Sequence, residues 1–349
     1  MRTWLERGKN ERRPAAAYQP SRSTREASGV GGVVIGVDLG GTKIGAGVVT
    51  AKGTVRRHRS TPTPLSGAGA IVAAIAAIVE EVAAGEHIKT VGVASAGIID
   101  PERRQVIFAP NLPLRRTPLA GLLSRMLGVP VVLENDANAA AWAESRFGGR
   151  DLGSLVMLTI GTGIGGGVVI DGRLLRGLNG MSGEVGHLWV ADHGYACECG
   201  GTGCLEAVAS GTALLREVRR LVAANPPRAE VLTRLAGHDL EGLTGAHITT
   251  AGLKGDGVAL DAFEIIGAWL GRAIASIVAV LDVEAVVLGG GVSAAGDLLR
   301  DPTQKSMSAN LFAAEMRQVP DVLLAALGPT AGIIGAADLA RCAVTSTPQ

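Results

Sequence analysis

Aromatic residues are scarce in this chain of 349 residues. Phe, Tyr and Trp make up 3% of it, whereas hydrophobic residues make up 47% and 50 residues are glycine. This balance predicts cores packed from small and aliphatic side chains, in elements joined by tight turns. The length is sufficient for two domains.

Charge of one sign is also lacking, since the formal net charge is +1 at pH 7. Residues 1–30 carry seven Arg and Lys against three Glu, so the rest of the chain is slightly acidic. A globular part with this balance of charge lacks the basic surface that binds nucleic acid. Residues 1–30 show no apolar periodicity and predict a disordered basic tail. Two alternatives are open for this tail. It could be an arm that binds nucleic acid weakly, or it could result from a translation start site assigned too far upstream.

Long hydrophobic runs are missing as well. The apolar stretches at 71–79 and 273–281 are too short to span a bilayer, and the charged start lacks the apolar region of a signal peptide. We therefore expect no membrane association.

Cysteine is rare too: three of the four lie within 197–204, and the fourth is Cys342. This distribution fits a metal site in a reducing cytoplasm better than a disulfide framework.

The three clustered cysteines and a nearby histidine predict a zinc site. Cys197, Cys199 and Cys204 follow His187 in the chain. Three thiolates and an imidazole form a complete tetrahedral set for Zn²⁺, and a closed site of this kind is structural. A disulfide between Cys197 and Cys199 would be badly strained. His193 is an alternative fourth ligand that the spacing does not exclude.

Two glutamates flank these ligands. Glu184 precedes His187, and Glu206 follows Cys204. A structural zinc between the glutamates would fix the direction of both carboxylates, and a metal-bound His187 would keep its second ring nitrogen free to donate a hydrogen bond. Two acids and a donor on one rigid frame suit a polyol ligand. The alternative is that both glutamates are solvated loop residues.

Two glycine-rich turns predict phosphate-binding segments. Residues 33–58 should form a hairpin whose turn exposes backbone N–H groups that can hold phosphate oxygens, and residues 155–174 repeat the design. The first turn is not a P-loop, because its residues lack the spacing of that motif and no helix is expected directly after it. Asp38, at the end of the first strand, is placed to hold a metal ion through water. The turn residues are Gly40, Gly41, Thr42, Lys43, Gly161, Thr162 and Gly163.

The remaining pattern alternates helices with buried strands. Helices are expected over 68–84, 118–127, 210–223, 261–281 and 333–342, and strands over 90–96, 129–133, 285–288 and 322–326. A polar stretch is expected from 225 to 250, with Thr250 capping the next helix. Gly289, Gly290 and Gly291 separate a strand from a helix, where a ligand can approach the backbone closely. A tight packing turn is the alternative.

Polar residues also cluster where the strand at 129–133 ends. Glu134, Asn135, Asp136 and Asn138 open an alanine-rich helix. One of them could serve as a helix cap, but four exceed what a cap needs. The carboxyl edge of a parallel sheet is where α/β proteins bind ligands. Asp136 is therefore a candidate general base, and Asn135 a candidate hydroxyl-binding amide.

Taken in order, these motifs resemble the ROK family of sugar kinases and sugar-responsive repressors, most closely its bacterial ATP-dependent glucokinases. The matching segments are 38–43, 134–138, 161–165, 184–187, 197–206 and 288–292. The resemblance implies an α/β, actin-like ATPase fold with two lobes and a central cleft. The expected small lobe comprises 31–140 and 327–349, and the expected large lobe comprises 141–326 with the zinc-binding loop.

The resemblance also implies roles for the residues. Asp136 would take the proton of the sugar 6-hydroxyl as that oxygen attacks the γ-phosphate of ATP, and Mg²⁺ would accompany the nucleotide. The implied hydroxyl-binding set is Asn135, Asp136, Glu184, His187 and Glu206. The implied phosphate segments are Asp38 with Gly40–Lys43, and Gly161–Gly163; the implied adenosine segment is Gly289–Gly291.

Two departures from the family pattern concern ligand fit. Ala96-Gly97 stands where many relatives have Pro-Gly, and Pro329-Thr330 stands where Asn-Asp is frequent. The first could alter the fit of the sugar and the second that of the nucleotide, but neither removes a catalytic group.

The expected function is that of a cytoplasmic ATP-dependent hexose 6-kinase, with glucose as the favoured substrate and a homodimer or homotetramer as the assembly. A repressor would need a winged-helix domain before the first hairpin, where about 30 residues stand. A zinc hydrolase would need an open coordination position, which four protein ligands do not leave. Mannose, N-acetylglucosamine, N-acetylmannosamine and a polyphosphate donor stay open, although few aromatics and no basic groove disfavour a polyphosphate track.

Overall fold

The computed structural model describes residues 32–192, 195–237 and 239–345, so the predicted tail and His193 lie outside the described residues. The strands are β1 (Val33–Leu39), β2 (Lys43–Val49), β3 (Val55–Pro62), β4 (Ile88–Ser95), β5 (Ile98–Ile99), β6 (Val106–Phe108), β7 (Arg115–Thr117), β8 (Val131–Asn135), β9 (Leu155–Ile160), β10 (Ile164–Ile170), β11 (Arg173–Leu174), β12 (Ala285–Gly289) and β13 (Asp321–Leu324). The helices are α1 (Ala68–Ala83), α2 (Leu119–Leu127), α3 (Asp136–Phe147), α4 (Leu205–Ala209), α5 (Gly211–Ala224), α6 (Glu230–Leu235), α7 (Gly245–Leu253), α8 (Gly257–Leu281), α9 (Asp297–Asn310) and α10 (Ala331–Thr345).

Two five-stranded sheets share one design. The first has the order β3-β2-β1-β4-β8, in which β1 runs antiparallel to β2 and parallel to β4. The second has the order β11-β10-β9-β12-β13, in which β9 runs antiparallel to β10 and parallel to β12. The inner parallel strands are buried Val- and Ile-rich runs, as expected where helices cover a sheet. The predicted α/β fold with a repeated hairpin is therefore confirmed.

Helix α10 lies so close to the first sheet that glycines are required there. A Cβ added at Gly36 of β1 would stand 1.8 Å from the carbonyl oxygen of Ile333, and one at Gly92 of β4 would stand 1.9 Å from that of Ala336. The same helix packs on α3, where a Cβ at Gly335 would lie 1.8 Å from a backbone oxygen. These contacts hold α3, and hence its first residue, against the sheet. The limits of the two lobes stay a prediction.

The long helix α8 belongs to the core of the second half. By length and composition alone it could cross a membrane, but half of its most apolar stretch is already buried within the protein. The buried residues include Phe263, Ile266 and Leu270, which belong to the largest hydrophobic cluster of the described residues. Gly267 admits Pro302 of α9, because a Cβ there would lie 2.7 Å from the proline ring. The helix is thus accounted for by packing within the fold.

The prediction of a polar stretch from 225 to 250 is wrong, because α6 and α7 lie there. Helix α7 contains Thr250, and the next helix is capped instead by Asp256, whose carboxylate accepts the N–H groups of Val258 and Ala259. Helix α7 has weak intrinsic propensity, and its formation depends on the burial of Ile248 and its neighbours. The hydrophobic periodicity of the sequence is therefore too weak to predict helix α7.

Candidate active site

The carboxyl end of β8 and the start of α3 place two polar side chains at the edge of the first sheet. The side-chain oxygen of Asn135 accepts the N–H of Asn138 at 3.0 Å, so Asn135 does cap the helix. Its amide nitrogen donates to the carbonyl oxygen of Gly97 at 3.1 Å. The carboxylate of Asp136 accepts the N–H of Ala137 at 2.9 Å. Both side chains are thus held in defined orientations at a ligand-binding edge.

A cavity of about 610 Å³ opens beside this edge. All five residues of the predicted hydroxyl-binding set line it, and so do parts of the second glycine turn and the glycine triplet. The lining residues that matter here are Asn135, Asp136, Glu184, His187, Glu206, Gly97, Thr159, Gly161, Gly163, Met181 and Gly290. Residues up to 193 positions apart in the sequence therefore meet around one concave surface, which carries the three carboxylates of Asp136, Glu184 and Glu206.

The acids of this region perturb one another. Burial raises the pKa of Asp136. Burial and the charge of Asp136 raise the pKa of Asp38 to about 6, against the opposing effect of Lys43. Burial also raises the pKa of Glu184, against the opposing effect of His187, and the charges of Asp136 and Glu206 add to the rise. A carboxylate whose pKa is raised toward neutrality is a better general base, and clusters of perturbed acids mark functional sites.

The predicted zinc ligands come together. One ligand atom from each of His187, Cys197, Cys199 and Cys204 lies within 4.8 Å of the others. The Nδ1 atom of His187 is 3.7 Å from the sulfur of Cys197, and the sulfurs of Cys199 and Cys204 are also 3.7 Å apart. A tetrahedral site with Zn–S bonds of about 2.3 Å has S···S separations of about 3.8 Å. The donor set therefore fits zinc, and it leaves Nε2 of His187 available to another partner.

Glu206 connects this cysteine–histidine cluster to the second glycine turn, a link that the sequence pattern did not predict. One carboxylate oxygen accepts the N–H of Ile164 at 2.8 Å, and the other lies 3.6 Å from the sulfur of Cys197. A Cβ at Gly163 would stand 2.2 Å from the same carboxylate. The glycine is thus needed so that Glu206 can reach the turn.

A second cavity, of about 670 Å³, adjoins the first at Gly161. Among the described residues no charged side chain lines it; its walls are glycine backbone, hydroxyls and apolar groups. The turn between the cavities is fixed by Gly211, whose N–H donates to Gly161 at 2.8 Å, and by Thr212, whose hydroxyl donates to Thr162 at 2.9 Å. The lining residues missed by the sequence analysis are Gly211, Thr212, Leu214, Leu215, Gly245, Ala246, Thr249 and Thr250. Glycines and threonines at the starts of α5 and α7 are the only signal for them.

The glycine triplet divides between the two cavities. Gly289 is buried within β12, Gly290 lines the first cavity and Gly291 lines the second. Gly290 has a φ of 82°, and a Cβ there would lie 2.5 Å from the backbone of Ile160. The triplet therefore brings β12 close to the second turn.

The first glycine turn lies near Asp38 but lines neither cavity. Its N–H at Gly40 donates to the carbonyl oxygen of Lys43 at 3.1 Å, and the side chains of Thr42 and Lys43 are exposed. A Cβ at Gly332, in the first turn of α10, would stand 3.2 Å from the carboxyl carbon of Asp38. Asp38 therefore lies beside a helix start, while the turn itself stays open to solvent.

Comparisons with known proteins converge on one group. The family model described as ROK family matches residues 34–343. A glucokinase from Streptomyces coelicolor is 44% identical over 311 residues, which cover 89% of this chain and 98% of that protein. An N-acetylmannosamine kinase from Escherichia coli is 35% identical over 314 residues, covering 88% and 98%. A ROK family glucokinase from Streptomyces griseus, solved in complex with glucose and AMPPNP, superposes with a TM-score of 0.81 at 44% identity and covers 89% of this chain and all of that one.

Proposed function

Because this chain belongs to the ROK family, we propose that it is an ATP-dependent glucokinase that transfers the γ-phosphoryl group to the 6-hydroxyl of glucose. The observation that carries the proposal is the cavity in which Asn135, Asp136, Glu184, His187 and Glu206 meet beside a second, uncharged cavity. An acceptor site and a donor site that touch at one glycine turn are what a phosphoryl transfer between two bound substrates requires.

Asp136 acts as the general base. Its carboxylate lies where β8 ends and α3 begins, and burial there disfavours the charged form and raises the pKa of Asp136. One oxygen is held by the N–H of Ala137, which fixes the direction of the carboxylate that accepts the proton of the sugar hydroxyl. As that proton moves to Asp136, the hydroxyl oxygen forms its bond to the γ-phosphorus and the bond to the leaving ADP oxygen breaks.

The other hydroxyls of the hexose bind the remaining polar groups. Asn135 orients one hydroxyl, while Glu184, Glu206 and the free ring nitrogen of His187 bind others. Carboxylates accept hydrogen bonds from hydroxyls, and each bond to a charged acceptor contributes more than a neutral one. Gly97, which also lines this cavity, has a φ of 100° and carries the carbonyl that holds Asn135. Its neighbour Ala96 therefore lies where sugar specificity is set.

A nucleoside suits the second cavity better than a polyphosphate chain does. The part of the chain that the structure describes contributes no charged side chain to this cavity, whereas a polyanion would need basic residues along its path. The second glycine turn, Gly161–Gly163, holds phosphate oxygens through its backbone, and Gly289–Gly291 approaches the adenosine. The first turn, Gly40–Lys43, completes the phosphate contacts. Asp38 is the residue that would hold a Mg²⁺ ion through water, and an ion there would supply neutralisation of the charge on the transferring group.

The cysteine–histidine cluster holds a structural zinc ion. His187, Cys197, Cys199 and Cys204 supply four ligands, so no coordination position is left for chemistry. Its role is to fix His187 and Glu206, and through Glu206 the second glycine turn. A reducing, cytoplasmic location suits these unpaired thiols. We further expect a homodimer or homotetramer.

The second candidate is a kinase for an N-acetylated hexosamine. The similarity of this chain to an N-acetylmannosamine kinase supports it. The test is a coupled assay of ADP release with glucose, mannose, N-acetylglucosamine and N-acetylmannosamine, with ATP and polyphosphate as alternative donors. We expect the highest kcat/KM with glucose and ATP. A preference for an N-acetylated sugar would reassign the acceptor. No turnover with any sugar would refute the kinase and favour a sugar-responsive regulator.

A further inference from the structure

Glu134, the residue before the proposed Asn135–Asp136 pair, is a buried carboxylate that touches no substrate cavity. It is 3% exposed and does not line either cavity. One oxygen accepts the N–H of Asn135 at 3.1 Å and the side-chain amide of Asn138 at 3.2 Å. A buried carboxylate must be paired to stay charged, and its partners are therefore informative.

The second oxygen of Glu134 binds an arginine from a distant part of the chain. The Nε atom of Arg176 lies 2.7 Å from it, with 28% of the arginine side chain exposed. Arg103 also approaches this oxygen, with its Nε atom at 3.5 Å, and donates to the carbonyl of Leu133 at 3.1 Å. Glu134 therefore has one close partner from the following half of the chain and one weaker partner from its own.

Arg176 begins a closed loop that leads to the sugar cavity. The N–H of Ser182 donates to the carbonyl of Arg176 at 3.0 Å, which joins the two ends of the segment 176–182. At Gly180 this segment approaches the first half of the chain, since a Cβ there would stand 2.3 Å from the carbonyl oxygen of Ile99. Within this stretch no helix or strand is assigned. The loop is therefore placed mainly by such individual contacts.

The loop delivers two cavity residues. Met181 lies within it and Glu184 follows two residues after its end, and both line the first cavity together with Asn135 and Asp136. Arg176 itself is not among the residues that line the cavity, and its guanidinium is bound to Glu134 instead. Arg176 can therefore affect the site by fixing the position of this loop relative to the end of β8.

We propose that Arg176 is a positioning residue whose ion pair with Glu134 holds the loop 176–184 against the sugar-binding end of β8. The inference rests on the proposed function, because it takes the first cavity as the hexose site. The pair joins the loop that carries Glu184 to the strand end that carries Asn135 and Asp136. Loss of the pair should let Glu184 withdraw from the hexose while the donor cavity stays intact.

The test compares Arg176→Gln with Arg176→Lys and with Arg173→Gln, a control on β11 that removes an exposed arginine without a side-chain partner among the described residues. Arg176→Gln should raise the hexose KM at least tenfold and leave the ATP KM within about twofold. Arg176→Lys should recover part of the loss, because it keeps the charge but not the planar fork. The control should match the wild type.

Two further measurements separate positioning from a general loss of fold. Arg103 still pairs with Glu134 in Arg176→Gln, so the melting temperature should stay close to that of the wild type. In a double-mutant cycle, Glu134→Gln added to Arg176→Gln should raise the hexose KM less than the two separate effects combined. An unchanged hexose KM, or an equal rise in both KM values, would overturn the proposal.

Hydrogen exchange tests the loop without reference to activity. In Arg176→Gln the amides of 177–184 should exchange faster, whereas those of α3 should not change. A wild-type protein that is inactive on every hexose, combined with this faster exchange, would refute the proposed function but keep the role of Arg176. Unchanged exchange in the loop would refute the role of Arg176, whatever the activity.

Discussion

Replacing Asp136 by Asn removes one charge from the cavity and preserves its shape. The amide oxygen of Asn can still accept the N–H of Ala137, which lies 2.9 Å from the carboxylate. The change also removes a negative charge that helps to raise the pKa values of Asp38 and Glu184. Hexose should therefore bind the variant about as tightly as it binds the wild type.

The rate should nevertheless fall by about three orders of magnitude, because the amide cannot accept the hydroxyl proton. General bases contribute typically ~10²–10⁴-fold, which corresponds to about 3–5 kcal/mol of transition-state stabilisation. Since the interaction is made only as the proton moves, kcat and kcat/KM should fall together while the hexose dissociation constant stays the same. A coupled assay gives the first two and calorimetry of glucose binding gives the third.

The pH profile supplies a second check on Asp136. Burial raises its pKa above the ordinary value of 3.8, and only the ionised form can act as a base. The wild-type rate should therefore decline as the pH falls through that raised pKa. In Asp136→Asn the decline should shift to lower pH, because Asp38 still titrates and its pKa is no longer raised by the charge of Asp136. A variant that keeps more than a tenth of the wild-type kcat, or one that loses glucose binding instead of turnover, would refute the reasoning.

Three other changes test separate parts of the structure. Cys199→Ser should lose zinc by metal analysis and raise the hexose KM about tenfold, whereas the exposed neighbour variant Glu198→Gln should do neither. Asp38→Asn should abolish turnover yet stabilise the fold by about 3 kcal/mol at pH 8, since burial and the charge of Asp136 raise the pKa of Asp38 from 3.8 to about 6 and so disfavour its charged form; in urea melts this gain should vanish below pH 4. Gly335→Ala should lower stability by about 3 kcal/mol in the same melts, because its Cβ would meet the carbonyl of Ala139.

Much of the site could be predicted because its residues lie in short, dense motifs. Asn135 and Asp136 end a strand and begin a helix, so their place at the sheet edge follows from local structure alone. The cysteines and His187 are close in sequence and chemically specific, so their convergence was also predictable. In both cases the spacing along the chain restricts the spatial arrangement.

Contacts between distant segments were not predictable in this way. The bond from Ile164 to Glu206 spans 42 residues, and so does the pair of Arg176 with Glu134. Neither has a periodic pattern, since each depends on how a loop packs on a strand end. The lining of the second cavity by Thr212 was missed for the same reason: a threonine near a helix start is an ordinary capping residue until the fold places it beside another turn.

The most direct test of the central claim is a crystal structure of the protein with glucose bound. We predict glucose in the first cavity, with O6 within hydrogen-bond reach, about 3 Å, of the Asp136 carboxylate. Its other hydroxyls should contact Asn135, Glu184, His187 and Glu206. Glucose bound elsewhere, or with O6 turned away from Asp136, would contradict the account.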